Sequence, residues 1–313
     1  MGLRGRHDGV SRVGQVTQPR LLIIGAGGFL GQHIARNAAS CFDVFEADLA
    51  APPGERGLAM DVTSSASVDA AFERVAPDAA VLLAAVSDID RCEQQPEFAE
   101  AVNVCGALYV AEACLRAGAR LVFTSSAAVF DGARRGYRES DAPTPVSVYG
   151  RTKARAEELI LARLPSALVF RLALVIGFAE GSGTNAMLNK FAAKLRAGES
   201  VPFPDFEYRN PIDAGTLSAF LLELLACDGE AGIFHVGAAE SVSRFELGVR
   251  LARRMGFSPD LVRPQAQPLP GRAPRGLDHF LLTDRLRSVC RTPVPSCDEV
   301  IERAIHGSPK SNS

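Results

Sequence analysis

Apolar residues along this chain gather into short blocks separated by stretches with helical spacing. Leu21 to Ile24 form a run that ends in glycines, and a helix-compatible stretch follows from Phe29 to Ala39. That pattern predicts strand, tight turn, helix. A second strand is expected over Asp43 to Asp48, and further apolar runs recur at 79 to 86, 120 to 124, 167 to 176 and 232 to 236. Helix-length segments lie between them at 67 to 76, 97 to 117, 149 to 164 and 213 to 227. Strands that alternate with helices predict an α/β fold with a doubly wound parallel sheet covered on both faces.

The later chain is patterned differently. Residues 177 to 212 and 237 to 305 are richer in Pro, Gly and Arg, with helix-like pieces near 185 to 198 and 243 to 255. They are assigned to a smaller C-terminal α/β lobe, inserted into and appended to the sheet domain. The expected organisation is a flexible tail over 1 to 18, the sheet domain over 19 to 176 completed by about 213 to 236, the lobe, and a short tail over 306 to 313.

Composition narrows the function classes. Nearly half of the 313 residues are hydrophobic, enough for a substantial core. Lysine and arginine number 34 against 36 acidic residues, with no basic stripe, so nucleic acid is not an expected partner. Seven cysteines (41, 92, 105, 114, 227, 290 and 297) occur without a C-x-x-C pair and in odd number. They argue against a disulfide framework or a metal site and fit a reducing, cytoplasmic setting. The first 20 residues hold Arg4, Arg6, Arg12 and Arg20 but no secretory apolar core. No apolar run reaches the ~18 residues that cross a bilayer, so no membrane partner is expected.

Candidate chemistry begins at the first turn. Gly25, Gly28 and Gly31 stand in G-A-G-G-F-L-G between the first strand and the first helix. That is where a dinucleotide pyrophosphate meets a helix N-terminus, which makes Gly25, Gly28, Phe29, Leu30 and Gly31 candidate phosphate-binding residues. The same pattern also occurs in turns that bind nothing. Asp48 follows Gly25 by 23 residues, close to the ~20-residue spacing of a carboxylate that meets the ribose 2′-hydroxyl, with Glu46 nearby. It favours NAD over NADP, the alternative being a solvated strand end. Asp61 and Val62 are weaker candidates for adenine contact.

A sharper signal is Tyr149-Gly-Arg-Thr-Lys153, whose four-residue spacing puts phenol and ammonium on one helix face. Ser125 and Ser126 end the strand before it, at the sheet edge where α/β ligands bind. A phenol of pKa ~10 is a poor acid or base at pH 7, so the expectation is that a neighbouring ammonium and a nicotinamide cation lower it. Ser126 would then hydrogen-bond a substrate carbonyl oxygen.

At these motifs the chain resembles an extended short-chain dehydrogenase/reductase. G25-x-x-G28-x-x-G31, S126-A-A-V-F-D-G132 and Y149-G-R-T-K153 come in that family's order. It is most similar to the dTDP-4-dehydrorhamnose reductase and sugar-nucleotide-binding branch, through L83-A-A-V-S-D-I-D-R-C-E-Q-Q-P-E97, A101-V-N-V-C-G-A-L-Y-V-A-E-A113 and G232-I-F-H-V-G-A-A-E-S-V-S-R-F-E246. The resemblance implies a Rossmann sheet domain and a catalytic triad of Ser126, Tyr149 and Lys153, with Lys153 also holding the nicotinamide ribose. It implies a supporting role for Asn103, cofactor contact at Ala84 and Ala85, and a nicotinamide-flanking strand from Leu172 to Ile176. Substrate contact is expected from Ser87, Ser126, Asn185, Arg209 and Arg272, with Arg209 and either Arg272 or Arg275 as a diphosphate clamp.

By that resemblance the chain uses NAD or NADP to reduce a keto group on a nucleotide-linked sugar, as a homodimer. Epimerisation or dehydration of such a sugar, ketone reduction in secondary metabolism, and a non-catalytic regulatory subunit are the alternatives. Two departures leave the substrate open. Ala127 and Ala128 stand where rhamnose-pathway reductases usually carry D-Y, and the chain has no tryptophan to stack on a sugar.

Overall fold

The computed structural model describes residues 18–179 and 187–307. Seven parallel strands form its central sheet: β1 (Arg20–Ile24), β2 (Asp43–Asp48), β3 (Gly57–Ala59), β4 (Ala79–Leu82), β5 (Arg120–Ser126), β6 (Leu168–Leu172) and, after an excursion, Gly232–Val236. The chain steps outward from β1 to β2 and β3. It then crosses to β4 on the other side of β1 and steps the opposite way. This reversal leaves a crevice at the carboxyl ends of β1 and β4, the topological switch point of a doubly wound Rossmann sheet.

The strands read as continuous apolar runs because both faces are covered. Leu21, Ile23, Val81, Val122 and Phe170 belong to one buried cluster, and Leu22, Ile24, Leu82, Leu121, Phe123 and Val169 to another. The first cluster is closed by α1 (Phe29–Ala38) and the second by α2 (Ser65–Val75). On α2's side, two short helices α3 (Ile89–Gln94) and α4 (Pro96–Glu100) lead into α5 (Ala107–Ala117), which packs on α6 (Val148–Arg163).

Three expected elements differ. The run at 79 to 86 is strand only to Leu82. Residues 97 to 117 are helical throughout, but Ala101–Gly106 form one wider π turn. By length and composition the whole run Pro96–Ala117 is apolar enough to cross a bilayer, and half of its most apolar stretch is buried inside the protein. The run at 167 to 176 breaks at Ala173: β6 stays in the main sheet, whereas β7 (Leu174–Ile176) leaves it.

Beyond β7 the chain builds three small sheets. Strand β8 (Val201–Pro204) pairs with β13 (Val262–Gln265), and β9 (Tyr208–Arg209) lies between β12 (Val242–Ser243) and β14 (Asp278–His279). Strand β10 (Pro211–Asp213) returns to pair with β7, and β11 is the Gly232–Val236 strand already placed in the main sheet. Helices α7 (Met187–Arg196), α8 (Ala214–Ala226), α9 (Arg244–Arg254), α10 (Asp284–Val289) and α11 (Cys297–His306) complete the fold. The cluster containing Leu21 and Ile23 continues through Phe203, Leu251 and Val262, so these sheets share the main core.

Candidate active site

A cavity of about 770 Å³ opens at the switch point, within the size range of small-molecule sites. Its outer end is the glycine turn. Gly25 has φ +89°, and a Cβ there would stand 2.7 Å from the Ala84 nitrogen. A Cβ on Gly31 would come within 2.5 Å of the Ala26 Cα and 2.6 Å of the Gly25 carbonyl oxygen. The loop and α1 therefore approach as only glycine permits. Helix α1 begins at Gly28 with no side-chain cap and no acidic residue in its first turn. At this helix start Gly28, Phe29, Leu30 and Gly31 are all in the cavity wall. An uncapped helix start with a backbone cradle fits an anionic pyrophosphate.

Asp48 ends β2 beside this turn. Its Oδ2 accepts from the Gly27 N–H at 2.9 Å and its Oδ1 from the Leu49 N–H at 2.8 Å. The carboxylate is thus fixed in the cavity wall. Asp61 and Val62 are in the same wall, with Asp61 Oδ1 accepting from both the N–H and the hydroxyl of Thr63. Ala84, Ala85 and Ser87 line the far side, and the Ala84 N–H donates to the Ile24 carbonyl. Asn103, buried in the π turn, locks this wall to α6. Its Oδ1 accepts from the Val86 N–H at 2.8 Å, and its Nδ2 donates to the Val86 carbonyl and to Thr152 Oγ1, each at 3.1 Å.

At the inner end the structure brings Ser126, Tyr149 and Lys153 together in one wall. Ser147 caps α6 by accepting from the Gly150 N–H, and Glu93 of α3 accepts from the Val148 N–H at 2.7 Å, so the first turn that carries Tyr149 is held from two sides. Gly150 lets the helix lie against the Ala128 carbonyl. Ser126 Oγ accepts from the Ala128 N–H at 3.1 Å and lines the cavity beside Tyr149. Lys153 Nζ donates to the Thr124 carbonyl at 2.9 Å and lies 4.5 Å from the centre of the Phe123 ring.

The electrostatics reverse one expectation. Burial pushes the Tyr149 phenol up to about 12, against the opposing pull of the Ser126 hydrogen bond, rather than down. Burial also holds the Lys153 ammonium down at about 8, with Glu157 acting against it. The ammonium is spent on the Thr124 carbonyl, so it does not acidify the phenol in this state.

The arginine clamp is not assembled at the cavity. Arg209 is buried among the small strands, where it donates to the carbonyls of Tyr208 at 2.7 Å, Gly276 at 3.0 Å and Leu277 at 3.1 Å and pairs with Glu207 at 3.3 Å. It ties β9 to the loop before β14, which is a structural task. Arg272 and Arg275 both donate to Asp90 at the start of α3, and the Ala273 N–H joins them at 2.8 Å. Asn185 lies outside the described residues. The residues that sequence reasoning missed are Gly27, Arg91, Phe98 and Thr124, all in the cavity wall. Gly27 stood inside the glycine motif, Arg91 inside the segment Leu83 to Glu97 and Thr124 at the end of the apolar run 120 to 124, whereas Phe98 lay in no quoted motif.

The family described as "RmlD substrate binding domain" matches residues 19–308, almost the whole chain. The chain belongs to this family. As an RmlD-type protein it is an extended short-chain dehydrogenase/reductase in architecture. Among its relatives, the dTDP-4-dehydrorhamnose reductase of Mycolicibacterium smegmatis is 32% identical over 301 residues, 93% of this chain and 86% of the relative. The methionine adenosyltransferase 2 subunit beta of Xenopus tropicalis is 28% identical, covering 88% of this chain and 84% of its own. The crystal structure of Bacillus anthracis dTDP-4-dehydrorhamnose reductase in complex with NADP superposes with a TM-score of 0.84 at 24% identity, over 92% of this chain and 99% of that one. The RmlD fold is therefore shared across nearly the full length.

Proposed function

We propose that this chain is an NAD(P)H-dependent reductase of a keto group on a nucleotide-linked deoxysugar. One observation carries the reading: the uncapped start of α1 and the Ser126, Tyr149, Lys153 cluster stand at opposite ends of one cavity. A bound nicotinamide dinucleotide would supply hydride to the carbonyl carbon. Gly25, Gly28, Phe29, Leu30 and Gly31 hold its pyrophosphate, Asp61 and Val62 border its adenine, and Ala84, Ala85 and the segment Leu172–Ile176 flank its inner half. Asp48 supports NAD as the preferred form, because its fixed carboxylate would repel a 2′-phosphate.

The phenol then does what a reduction requires. With its pKa raised to about 12, Tyr149 is protonated at neutral pH and carries the proton that the developing alkoxide takes up. Ser126 donates a hydrogen bond to the same oxygen. Lys153 anchors the nicotinamide ribose and, below its value of about 8, offers positive charge beside the phenolate that remains. The lobe over 177–212 and 237–305 carries the sugar nucleotide, with Ser87 and Arg272 at its border with the sheet domain. Seven free cysteines suit a reducing, cytoplasmic setting, and the family resemblance favours a homodimer.

The relatives divide between reductases and a regulatory subunit, and the assembled triad favours the former. The test mixes purified protein with NADH or NADPH and a panel of 4-keto sugar nucleotides, beginning with dTDP-4-dehydrorhamnose, and follows absorbance of the reduced cofactor. Oxidation that depends on the sugar supports the reading. Dinucleotide binding without oxidation across the panel refutes it in favour of a binding subunit.

A further inference from the structure

Beneath the candidate active site runs a row of buried polar groups that the reading above does not use. Ser125 of β5, Arg171 of β6 and His235 of β11 are register partners across three strands. All three side chains reach towards the face that α6 covers. Glu157 of α6 closes the row, with only 3% of its surface exposed against 1% for Arg171. Arg171 donates to Glu157 through Nε, at 3.0 Å to Oε1 and 3.1 Å to Oε2, and through a terminal nitrogen at 2.6 Å to Oε2. The Ser125 hydroxyl donates a short hydrogen bond to Oε1. On the far side Arg171 meets His235 Nε2 at 3.4 Å, and His235 Nδ1 lies 3.2 Å from the Tyr137 carbonyl. Burial beside Arg171 holds that imidazole down at about 3, so it stays neutral and the row carries one cation against one anion.

The spacing of this carboxylate is informative. Tyr149, Lys153 and Glu157 recur every four residues on α6 and so share one face. A helix that needed only an anchor to the sheet would bury apolar residues, as Ala156 and Ile160 do. A desolvated ion pair is a costly anchor. We propose that Glu157 is a positioning residue: fixed by Arg171 and Ser125, its carboxylate holds the Lys153 ammonium against the Thr124 carbonyl at the cavity floor.

The inference rests on the cofactor role given to Lys153. Facing that ammonium are Tyr149 and Glu157 from its own helix, and Cys92 from α3, a thiol that Asp88 and Glu93 push up and Arg91 pulls down after the larger upward push of burial. From the sheet come the Thr124 carbonyl and the Phe123 ring. Glu157 favours the charged ammonium against desolvation, whereas Cys92 is a thiol at neutral pH.

The test reads dinucleotide affinity against pH with no sugar present, so it stands apart from any question of substrate. In the wild type, affinity is expected to weaken as pH rises through about 8, where Lys153 discharges. In Glu157→Gln that limb moves down by about one pH unit. Affinity is then near wild type at pH 6 and about fivefold weaker at pH 8, since the charged fraction at pH 8 falls from one half to one eleventh. Glu157→Asp keeps the limb near its original pH. The pair Glu157→Gln with Arg171→Met removes both charges and avoids a lone buried guanidinium, and it shows the same direction of shift. Weakening by an equal factor at every pH, or an unmoved limb in the folded variants, overturns the proposal. A wild type with no limb overturns the Lys153 assignment first and the proposal with it.

Discussion

Replacing Gly31 by alanine tests the cofactor cradle most directly, because structure and propensity predict opposite signs. In an open helix, glycine to alanine stabilises by roughly 0.5–1 kcal/mol through lost chain entropy. Here the added Cβ would sit 2.5 Å from the Ala26 Cα and 2.6 Å from the Gly25 carbonyl oxygen, where ordinary contact begins at 3.4 Å. Against the Ala26 Cα the shortfall is 3.4 minus 2.5, or 0.9 Å, the Ala26 carbonyl oxygen is closer still, and every atom it meets is backbone, so nothing flexible can yield. Helix α1 must back away from the turn by about that distance. Overpacking of this kind costs about 1–3 kcal/mol, which outweighs the propensity gain. A shift of ~1 Å also takes the α1 N–H groups off the pyrophosphate, and a loss of 1–3 kcal/mol there corresponds to about 5- to 150-fold weaker binding. Thermal denaturation and fluorescence titration with NADH and NADPH check the two halves. The expected result is a melting temperature lower by a few degrees together with that loss of affinity. Gly28→Ala is the comparison: its Cβ meets only the Gly25 carbonyl oxygen, at 3.3 Å, and the fold should hardly notice it. A Gly31→Ala protein that melts higher than wild type and binds within twofold of it would refute the reasoning.

Further outcomes follow from the same geometry. Tyr149→Phe removes the proton donor but not the wall, so turnover should fall by about 10²–10⁴ while dinucleotide affinity, read by titration, stays within about twofold. Asp48→Ala removes the carboxylate held by Gly27 and Leu49. The ratio of NADH to NADPH affinity should move about tenfold towards NADPH, and a ratio that does not move would remove the basis for preferring NAD. Asp90→Asn weakens the latch on Arg272, Arg275 and Ala273, so limited proteolysis near 266–276 should quicken. The Arg275 hydrogen bonds hold the Asp90 carboxyl far below the usual carboxylate range. Its contribution is therefore complete above the unfolded value of about 4 and drains away as pH falls below it. The gap in melting temperature between wild type and Asp90→Asn should accordingly be constant from pH 7 to 5 and narrow towards pH 3.

What the sequence revealed and what it hid divide along the distance between partners. The strand, turn and helix at Gly25 were legible because the glycines, α1 and β1 are neighbours in the chain. Tyr149 and Lys153 were legible for the same reason, and Glu157, four residues further on, offered a signal that went unread. The burial of Arg209 was hidden because its partners Gly276 and Leu277 lie more than sixty residues away, and a buried arginine looks like an exposed one in the linear chain. The latch on Asp90 spans more than 180 residues and left no local trace. The direction of the Tyr149 shift also depends on burial, which no motif encodes. The break at Ala173 was invisible because an unbroken apolar run does not say which sheet each half joins.

That break has a bearing on how such proteins diversify. The strand that leaves the main sheet and the strand that returns are paired side by side, Leu174 with Pro211 and Ile176 with Asp213. The described parts of the excursion, 177–179 and 187–210, thus lie between two strands that are joined at its base, like a pouch on a drawstring. Its exposed positions can change without shifting the register of either strand, whereas Leu188, Phe191, Leu195 and Phe203 are tied into the main core. Surface change there leaves the strands that border the cavity where they are.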